Sequence, residues 1–379
     1  MDFEAKYQAG AARPFDQKNE MFKRVWWDKK FEEDLRSFQQ PIAANGRNGA
    51  TNENLALRNA AWSIERAYAR GNYHGQYGMF SWDNENVIPG MAAIDPATPF
   101  DASDPARNSR IVKRAARFFG AALTGICKLD RRWIYTNGFR LPSCEVFDID
   151  VADEYAYVIN VAIEMDYDQY RLLPTYLGSA ETGFGYSKMA ITAGLLAQFL
   201  RHLGVKAIPS GNDTAMSIPY AIQAGLGELG RNGLLITRPY GPRVRLCKIF
   251  TNLPLQCDEP GEFGVKEFCD VCRQCAAQCP GRAIAQGERT AEGCNISNAP
   301  GPLKWYVDGE KCYSFWTRSR CECGACIRVC PFNKPKGRLH DAARGVIERF
   351  PKLDRLLLKA DRWLRYDRPR PIGAYWEQP

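Results

Sequence analysis

The sequence lacks the long apolar runs and leader segments that direct a chain into or across a membrane. Its longest apolar stretches, at 115–127 and 190–200, are interrupted by Arg, Lys, Gly or Gln and fall short of the roughly 18 residues of a spanning helix. Residues 1–13 contain neither an apolar leader core nor a twin-arginine pair. We therefore expect a cytoplasmic protein without a membrane anchor.

A pronounced excess of one charge is also missing. The 51 Lys and Arg residues are interspersed with 43 Asp and Glu residues, which leaves a net charge of +8 on 379 residues. Nucleic-acid-binding domains usually gather their basic residues into a patch or stripe. We expect no nucleic-acid partner, and the modest basic excess suits docking of an acidic electron carrier.

Cysteine is abundant, with fourteen residues concentrated toward the C-terminal end. In a small secreted chain such a number would indicate disulfides, but this chain is long and has no secretion signal. Cys269, Cys272, Cys275 and Cys279-Pro280 follow the spacing Cys-x2-Cys-x2-Cys-x3-Cys-Pro by which ferredoxin-type proteins hold [4Fe–4S] clusters. The sequence therefore predicts an iron–sulfur segment.

A second, shorter motif follows, in which Cys323, Cys326 and Cys330-Pro331 lack a partner that Cys312 can supply. In two-cluster ferredoxins the last cysteine of each run binds the other cluster. This rule predicts two [4Fe–4S] sites. One is formed by Cys269, Cys272, Cys275 and Cys330, and the other by Cys279, Cys312, Cys323 and Cys326.

Zinc is the main alternative for any Cys-x2-Cys pair. A zinc ion is satisfied by four ligands and has no use for two Cys-Pro endings, so iron–sulfur clusters account better for the pattern. Cys321 could replace Cys323, but the spacing favours Cys323. The remaining cysteines have no ligand spacing and are predicted to be buried structural thiols: Cys127, Cys144, Cys247, Cys257 and Cys294.

Hydrophobic periodicity predicts a mixed α+β fold. An amphipathic helix is expected over 109–126 and a second helix over 186–203, with strands at 155–163, 233–237 and 244–251. Changes in composition divide the chain into an N-terminal unit (1–108), a central domain (109–255), the cysteine-rich segment (256–336) and a basic helical tail (337–379). The N-terminal unit shows no motif to which chemistry can be assigned.

Two clusters provide a path for single electrons, and the rest of the chain must contain the acceptor. No Gly-x-Gly-x-x-Gly follows a predicted strand, and there is no P-loop, so a dinucleotide-binding fold is not supported. The three histidines, His74, His202 and His340, lie outside any Asp-x-His-x-x-Gly motif, which argues against cobalamin bound through a protein histidine. A base-off corrinoid held by backbone and loop contacts remains open.

Several segments resemble the corrinoid-dependent reductive dehalogenases. Segments 208–214 (IPSGNDT), 218–237 (IPYAIQAGLGELGRNGLLIT) and 241–251 (GPRVRLCKIFT) are similar to the family's corrinoid-binding core. Segments 312–317 (CYSFWT) and 323–332 (CGACIRVCPF) resemble its second cluster motif. The resemblance implies a nitroreductase-like α/β domain that holds cobalamin, packed against a ferredoxin-like domain with two [4Fe–4S] clusters.

The resemblance also implies an activity: cob(I)alamin-dependent removal of halide from a small organohalide. Respiratory members begin with a twin-arginine signal, and some other members carry a fused flavin reductase. With neither feature evident, the resemblance implies the catabolic type, supplied with electrons by a separate ferredoxin or flavodoxin.

Individual residues acquire expected roles from the same resemblance. Tyr186 is at the position of the family's acid and would protonate the carbon that loses halide. Arg245, with Arg243 as runner-up, would be the cation that favours the phenolate, and Asn212 would bind near the substrate or the halide. The residues expected to approach the corrinoid are Gly227, Gly230, Asn232, Gly233 and Leu234. Without the motifs, each of these would be read as an ordinary core, surface or turn residue.

Four aromatic residues near the second cluster motif, Trp305, Tyr306, Tyr313 and Trp316, could line an apolar substrate pocket or belong to the core. Two other functions stay open at this point. One is an epoxyqueuosine reductase-like enzyme acting on tRNA, and the other is a non-catalytic iron–sulfur or corrinoid electron carrier.

Overall fold

The computed structural model describes residues 1–69, 79–84, 87–88, 90, 92, 94–373 and 375–377. Helices and strands are mixed along the chain, which confirms the predicted combination of both. The strands are β1 (Leu123–Lys128), β2 (Asn137–Arg140), β3 (Glu145–Asp148), β4 (Tyr157–Glu164), β5 (Ala207–Ser210), β6 (Glu228–Leu229), β7 (Leu235–Ile236) and β8 (Val244–Thr251).

Helices surround these strands, and in the described residues both ends of the chain contain helices and no strand. They are α1 (Phe3–Tyr7), α2 (Met21–Arg24), α3 (Glu32–Gln39), α4 (Asn52–Ala61), α5 (Pro105–Phe118), α6 (Tyr167–Tyr170), α7 (Tyr176–His202), α8 (Ser217–Gln223), α9 (Val265–Cys272), α10 (Gln274–Ala277), α11 (Gly309–Ser319), α12 (Ala325–Arg328), α13 (Arg338–Arg349) and α14 (Asp354–Trp363). A π-helical turn, Glu65–Ala69, follows α4.

A four-stranded antiparallel sheet, in the order β1-β4-β8-β5, forms the centre of the molecule. Both of its faces are buried. Helix α7 covers one face with small and apolar side chains such as Ala193 and Leu196, while α8 covers the other with Tyr220 and Ile222. The central strand β4 is therefore apolar at successive positions rather than at alternate ones.

The predicted helix over 109–126 is wrong at its C-terminal end. Helix α5 ends at Phe118, and 123–128 form strand β1. Gly120 lies just beyond the helix with φ +101°, a conformation that interrupts a right-handed helix. The apolar residues that follow it pair with β4, and a short apolar run of this kind fits either a strand or a buried helix segment.

The predicted start of the long helix at Tyr186 is also wrong, because α7 begins ten residues earlier. Thr175 caps it, and its Oγ1 accepts a hydrogen bond from the backbone N–H of Gly178 at 3.1 Å. The glycines of the first half of α7 conceal its helical pattern in the sequence. Tyr186 consequently lies inside the helix and not at its first turn.

The N-terminal residues pack across the central sheet and the cysteine-rich segment. Lys6 pairs with the fully buried Glu228 at 2.5 Å, and Arg58 pairs with the buried Glu322 at 2.7 Å. Removing charged groups from water is costly unless they are paired. Each of these buried pairs therefore fixes an N-terminal residue to a specific position in the central domain or the cysteine-rich segment.

The thiols without ligand spacing are only partly buried. Cys127 and Cys247 are in the core as predicted, but Cys144 and Cys257 are half-buried and Cys294 is exposed, because it lies on the surface loop before α11. In the part of the chain that the structure describes, no helix combines the length and the apolar character needed to cross a bilayer.

Candidate functional site

A cavity of about 600 Å³ lies between the central sheet and the cysteine-rich segment. Its volume is within the range of about 300–1,000 Å³ that is common for small-molecule and cofactor sites. The walls come from α7, the loop after β5, strand β8, the cysteine-rich segment and the N-terminal residues, and they are mainly apolar. The cavity thus joins parts of the chain that are distant in sequence.

Tyr186, Asn212 and Arg245 converge on this cavity. The side-chain amide of Asn212 donates a hydrogen bond to the Tyr186 hydroxyl at 2.8 Å. The guanidinium carbon of Arg245 lies 4.7 Å from the centre of the Tyr186 ring. A phenol is therefore held between an amide donor and a cation at the cavity wall.

Glycines on α7 make room for this arrangement. A Cβ on Gly183 would lie 2.5 Å from the indole of Trp62, and that indole stacks on Tyr186 with ring centres 4.8 Å apart. A Cβ on Gly185 would lie 3.0 Å from Cγ of Arg245. The sequence Gly183-Phe-Gly-Tyr186 thus allows an aromatic ring and a cation to approach the same tyrosine closely.

Arg245 is fixed from its other side by Tyr170. Its Nη2 donates to the Tyr170 hydroxyl at 3.0 Å, and that hydroxyl lies 3.0 Å from Oγ1 of Thr182. Burial acts to lower the pKa of Arg245, but the phenols of Tyr170 and Tyr186 act in the opposite direction, and the result is a pKa above the usual value. The guanidinium therefore keeps its charge in this buried position.

Arg243, the runner-up for the cationic role, is used elsewhere. It is 1% exposed, donates to Asn333 Oδ1 at 3.0 Å and pairs with Glu164 at 3.2 Å. Arg243 does not line the cavity. These contacts make it a link between strand β8 and the end of the cysteine-rich segment.

A buried lysine holds the loop that carries Asn212. Lys248 is fully buried on β8, and its Nζ donates to the carbonyl of Gly211 at 2.6 Å and to Ser217 Oγ at 3.1 Å. Burial lowers the pKa of Lys248 to about 8. The loop is further closed by Asp213, whose carboxylate accepts from the backbone N–H of Gly211 at 2.8 Å.

The cysteines separate into two groups in the structure. One group surrounds a small internal cavity behind strands β6 and β7, together with Arg231. The other group is on the wall of the large cavity. The first consists of Cys269, Cys272, Cys275 and Cys330, and the second of Cys279, Cys312, Cys323 and Cys326.

The donor set fits iron–sulfur clusters. Each group supplies four thiols, the number that one [4Fe–4S] cluster takes. Burial raises the pKa of Cys269 and raises that of Cys272 to about 11, so these thiols need a cationic partner to remain ionised.

Cys321 does not belong to either group. Its side chain is 0% exposed, and its Sγ lies 3.1 Å from Oγ of Ser179 on α7. Burial raises the pKa of Cys321 to about 12. Cys323, two residues later, lines the large cavity together with the rest of its group.

The residues expected to approach a corrinoid are only partly at the cavity. Asn232, Gly233 and Leu234 line it, and Gly233 has φ +72° with Val307 packed 2.9 Å from where a Cβ would be. Gly227 and Gly230 do not line it. Added Cβ atoms there would instead strike Ile236 on the facing strand, so these two glycines allow β6 and β7 to pair closely.

Three of the four predicted pocket aromatics, Trp305, Tyr306 and Trp316, line the cavity. Tyr313 packs in the N-terminal core instead, with its ring centre 6.3 Å from that of Phe31. Within the described residues no histidine lines the cavity. His74 lies outside the described residues.

Several cavity residues escaped the sequence analysis. Phe3, Tyr7 and Phe22 contribute wall surface from the N-terminal hundred residues, and Tyr170 and Trp62 support Arg245 and Tyr186. No motif marks them in the sequence. The only available signal was the high aromatic content of the N-terminal region, which does not by itself distinguish wall from core.

Comparison with known proteins identifies the family. The chain is 34% identical over 392 aligned positions to tetrachloroethene reductive dehalogenase of Sulfurospirillum multivorans, an alignment that covers 93% of this chain and 77% of that protein. It is 38% identical over 330 positions to tetrachloroethene reductive dehalogenase of Desulfitobacterium hafniense, covering 77% and 59% respectively. The chain belongs to the reductive dehalogenase family. Reductive dehalogenases are redox enzymes that use a corrinoid and iron–sulfur clusters.

The fold is also that of a solved reductive dehalogenase. The catabolic enzyme NpRdhA superimposes with a TM-score of 0.72 at 22% identity, over 94% of this chain and 47% of that one. The chain thus spans less than half of that structure and between about three-fifths and three-quarters of the two curated relatives. No protein-family model matches the sequence.

Gly183→Ala tests the packing around Tyr186. The added methyl group would strike Trp62, and overpacking of this kind costs about 1–3 kcal/mol, so the free energy of unfolding in a urea titration should fall. Gly345→Ala on α13 is the matched control, because no described atom lies within 4 Å of its Cβ. That variant should gain about 0.5–1 kcal/mol from helix propensity. Equal stability changes in the two variants would contradict the packing described here.

Proposed function

We propose that this reductive dehalogenase removes halide from a small organohalide bound in the 600 Å³ cavity, using a base-off cobalamin and two [4Fe–4S] clusters. One observation carries the proposal. The Tyr186 phenol, held by Asn212 and Arg245, faces the same cavity as the thiols of Cys312 and Cys323. A proton donor and the thiols that would hold the electron-delivering cluster thus face a single cavity.

The cofactors fit the residues that surround them. Each group of four cysteines suits one cluster, and the group on the cavity wall would lie next to a corrinoid bound in the cavity. Asn232, Gly233 and Leu234 would contact the macrocycle. When bound, the corrinoid supplies the low-valent cobalt that reacts with the halogenated carbon.

Tyr186 provides the proton. The overall reaction takes an organohalide, two electrons and one proton to the hydrogenated product and a halide ion. The phenol gives up its proton to the carbon, and the phenolate that remains is stabilised by the adjacent Arg245 and by the hydrogen bond from Asn212. Bulk solvent then returns a proton to the phenolate.

The cavity favours a small, largely apolar substrate. Its wall includes Trp305, Tyr306 and Trp316, whose rings suit the surface of a chloroalkene or a halogenated arene. Two curated relatives are tetrachloroethene reductive dehalogenases, and NpRdhA has a structure with 3-bromo-4-hydroxybenzoic acid. We assign halogenated small molecules as the substrate class and a ferredoxin or flavodoxin as the electron donor.

Residues 109–255 then form a nitroreductase-like corrinoid domain, and residues 256–336 form a ferredoxin-like domain. The N-terminal unit (1–108) completes the cavity wall, and the tail (337–379) covers the cysteine-rich segment. Because only the group of Cys312 lines the cavity, the electron path has a direction. Electrons enter at the group of Cys269 and leave through the group of Cys312, which adjoins the cavity.

Anaerobic reconstitution tests the activity. The chain supplied with iron, sulfide and cobalamin should bind about eight irons and one corrinoid, as eight ligand thiols predict. It should release halide from at least one member of a panel of chloroethenes and halophenols when reduced with methyl viologen. Iron near half that amount, or a fully loaded protein that releases no halide from any of them, would contradict the proposal.

Tyr186→Phe separates catalysis from cofactor binding. The ring and its contacts with Trp62 and Arg245 remain, so iron and corrinoid contents should be unchanged, while halide release should fall by about 10²–10⁴-fold through loss of the general acid. Tyr135→Phe is the control, since it removes another phenol of the cavity wall that does not contact Asn212 or Arg245. Near wild-type turnover in Tyr186→Phe would show that the proton has another source. If the protein were a non-catalytic electron carrier, the wild type would release no halide either.

Cys321→Ser and Cys323→Ser test the cluster ligands. Cys321 is hydrogen-bonded to Ser179 and belongs to neither cysteine group, so its serine variant should keep the full iron content. The Cys323 variant should lose one cluster of the two. Iron and acid-labile sulfide assays of the reconstituted proteins provide the measurement, and equal losses in both variants would overturn the assignment.

A further inference from the structure

Helix α14 turns its acidic residues inward. Asp354, Leu358 and Asp361 are buried and recur at intervals of four and three residues, which places them on one face of the helix, the face that packs against α9. Asp361 is paired there with Lys334 at 2.7 Å. The acidic residues of α14 are therefore withdrawn from the surface.

The outward face of α14 is apolar and basic. Trp363 is 81% exposed and Leu356 is 63% exposed. Arg355, Lys359 and Arg362 are exposed beside them, at helical spacing, and within the described residues none of the three forms an ion pair. Apolar side chains of this size on an outward helix face, bordered by charges, are typical of a protein interaction site.

This face lies behind the cysteine group that is farther from the cavity. Leu358, on the inner side of α14, packs in the same apolar core as Cys272 and Cys330. The outer surface of α14 is consequently about one helix diameter, ~10 Å, from that core. Residues 337–379 contain ten Lys and Arg against six Asp and Glu, so an approaching partner meets positive charge.

We propose that the outward face of α14 is the docking surface for an acidic one-electron carrier that reduces the cluster held by Cys269, Cys272, Cys275 and Cys330. The inference rests on the proposed function and adds the place where electrons enter. Opposite charge steers such a carrier to the surface, and Leu356 and Trp363 supply the apolar contact that holds it. A basic and apolar helix face also suits an anionic bilayer. Its position over the cluster remote from the substrate favours the electron carrier.

A charge-reversed variant tests the surface in the reconstituted full-length protein. Arg355→Glu, Lys359→Glu and Arg362→Glu are combined, and reduction of the clusters by photoreduced flavodoxin is followed by stopped-flow absorbance at low salt. Loss of electrostatic steering should slow the second-order rate by about 10-fold or more. Reduction by methyl viologen radical, a small cation that needs no docking surface, should not become slower, and iron and corrinoid contents should match the wild type.

The chain offers a matched control on α5. Arg110, Arg114 and Arg117 have the same spacing as the α14 triplet and are also exposed, but α5 packs on strand β1 and helix α7, away from the cysteine groups. Reversing all three charges changes the net charge of the protein by the same amount. This variant should be reduced by flavodoxin at close to the wild-type rate.

The outcomes distinguish the docking surface from the activity. If the α14 variant holds both cofactors and flavodoxin reduces it at the wild-type rate, or if the α5 variant slows equally, the docking surface is wrong while the proposed function stands. A wild-type protein that binds neither iron nor corrinoid overturns both.

Two further measurements cover the other occupants of this face. Binding to vesicles with about one-third anionic lipid, lost in the α14 variant while its flavodoxin rate is unchanged, would assign the face to a membrane surface. If the wild-type protein sediments as a dimer and the combined Leu356→Ser and Trp363→Ser variant as a monomer, with an unchanged flavodoxin rate, the face would be assigned to a second copy of the chain.

Discussion

The site depends on keeping one tyrosine ring next to a buried cation without neutralising that cation. Arg245 is held by the Tyr170 hydroxyl rather than by a carboxylate, so its charge remains available to Tyr186 at 4.7 Å. A carboxylate in direct contact would have formed an ion pair and removed most of that field. The arrangement requires the glycines of α7, because they let Trp62 and Arg245 reach the same tyrosine ring.

The two cysteine groups differ in what surrounds them. The group of Cys312 lines the large cavity, whereas Arg231 lies beside the group of Cys269. Arg231 is 1% exposed, donates to the carbonyl of Cys269 at 3.1 Å and stacks above Trp305 at 4.4 Å. A buried cation in this position would stabilise the reduced form of a cluster bound by these cysteines, so the two cysteine groups have different electrostatic surroundings.

Some residues of the N-terminal region line the cavity although nothing in the sequence marks them. Phe3, Tyr7 and Phe22 help to enclose the cavity, yet no motif distinguishes them from ordinary aromatic residues. Their position follows from long-range contacts, such as the pair between Lys6 and Glu228. The two residues of this pair are 222 positions apart, so local pattern does not encode the contact.

The sequence alone determined the local chemistry. The cysteine spacings and the crossed-ligand rule predict two sets of four thiols, and in the structure these two sets line two different cavities. The motif around Tyr186 and the segments containing Asn212 and Arg245 indicated the residues that meet at the cavity. Only the tertiary structure shows that Arg243 is held by Asn333 and Glu164, and that Gly227 and Gly230 serve a strand pair instead of the cavity wall. Arg243 precedes β8 and Arg245 lies within it, only two positions apart, so local pattern does not assign their partners and only packing against the rest of the chain determines what each side chain meets.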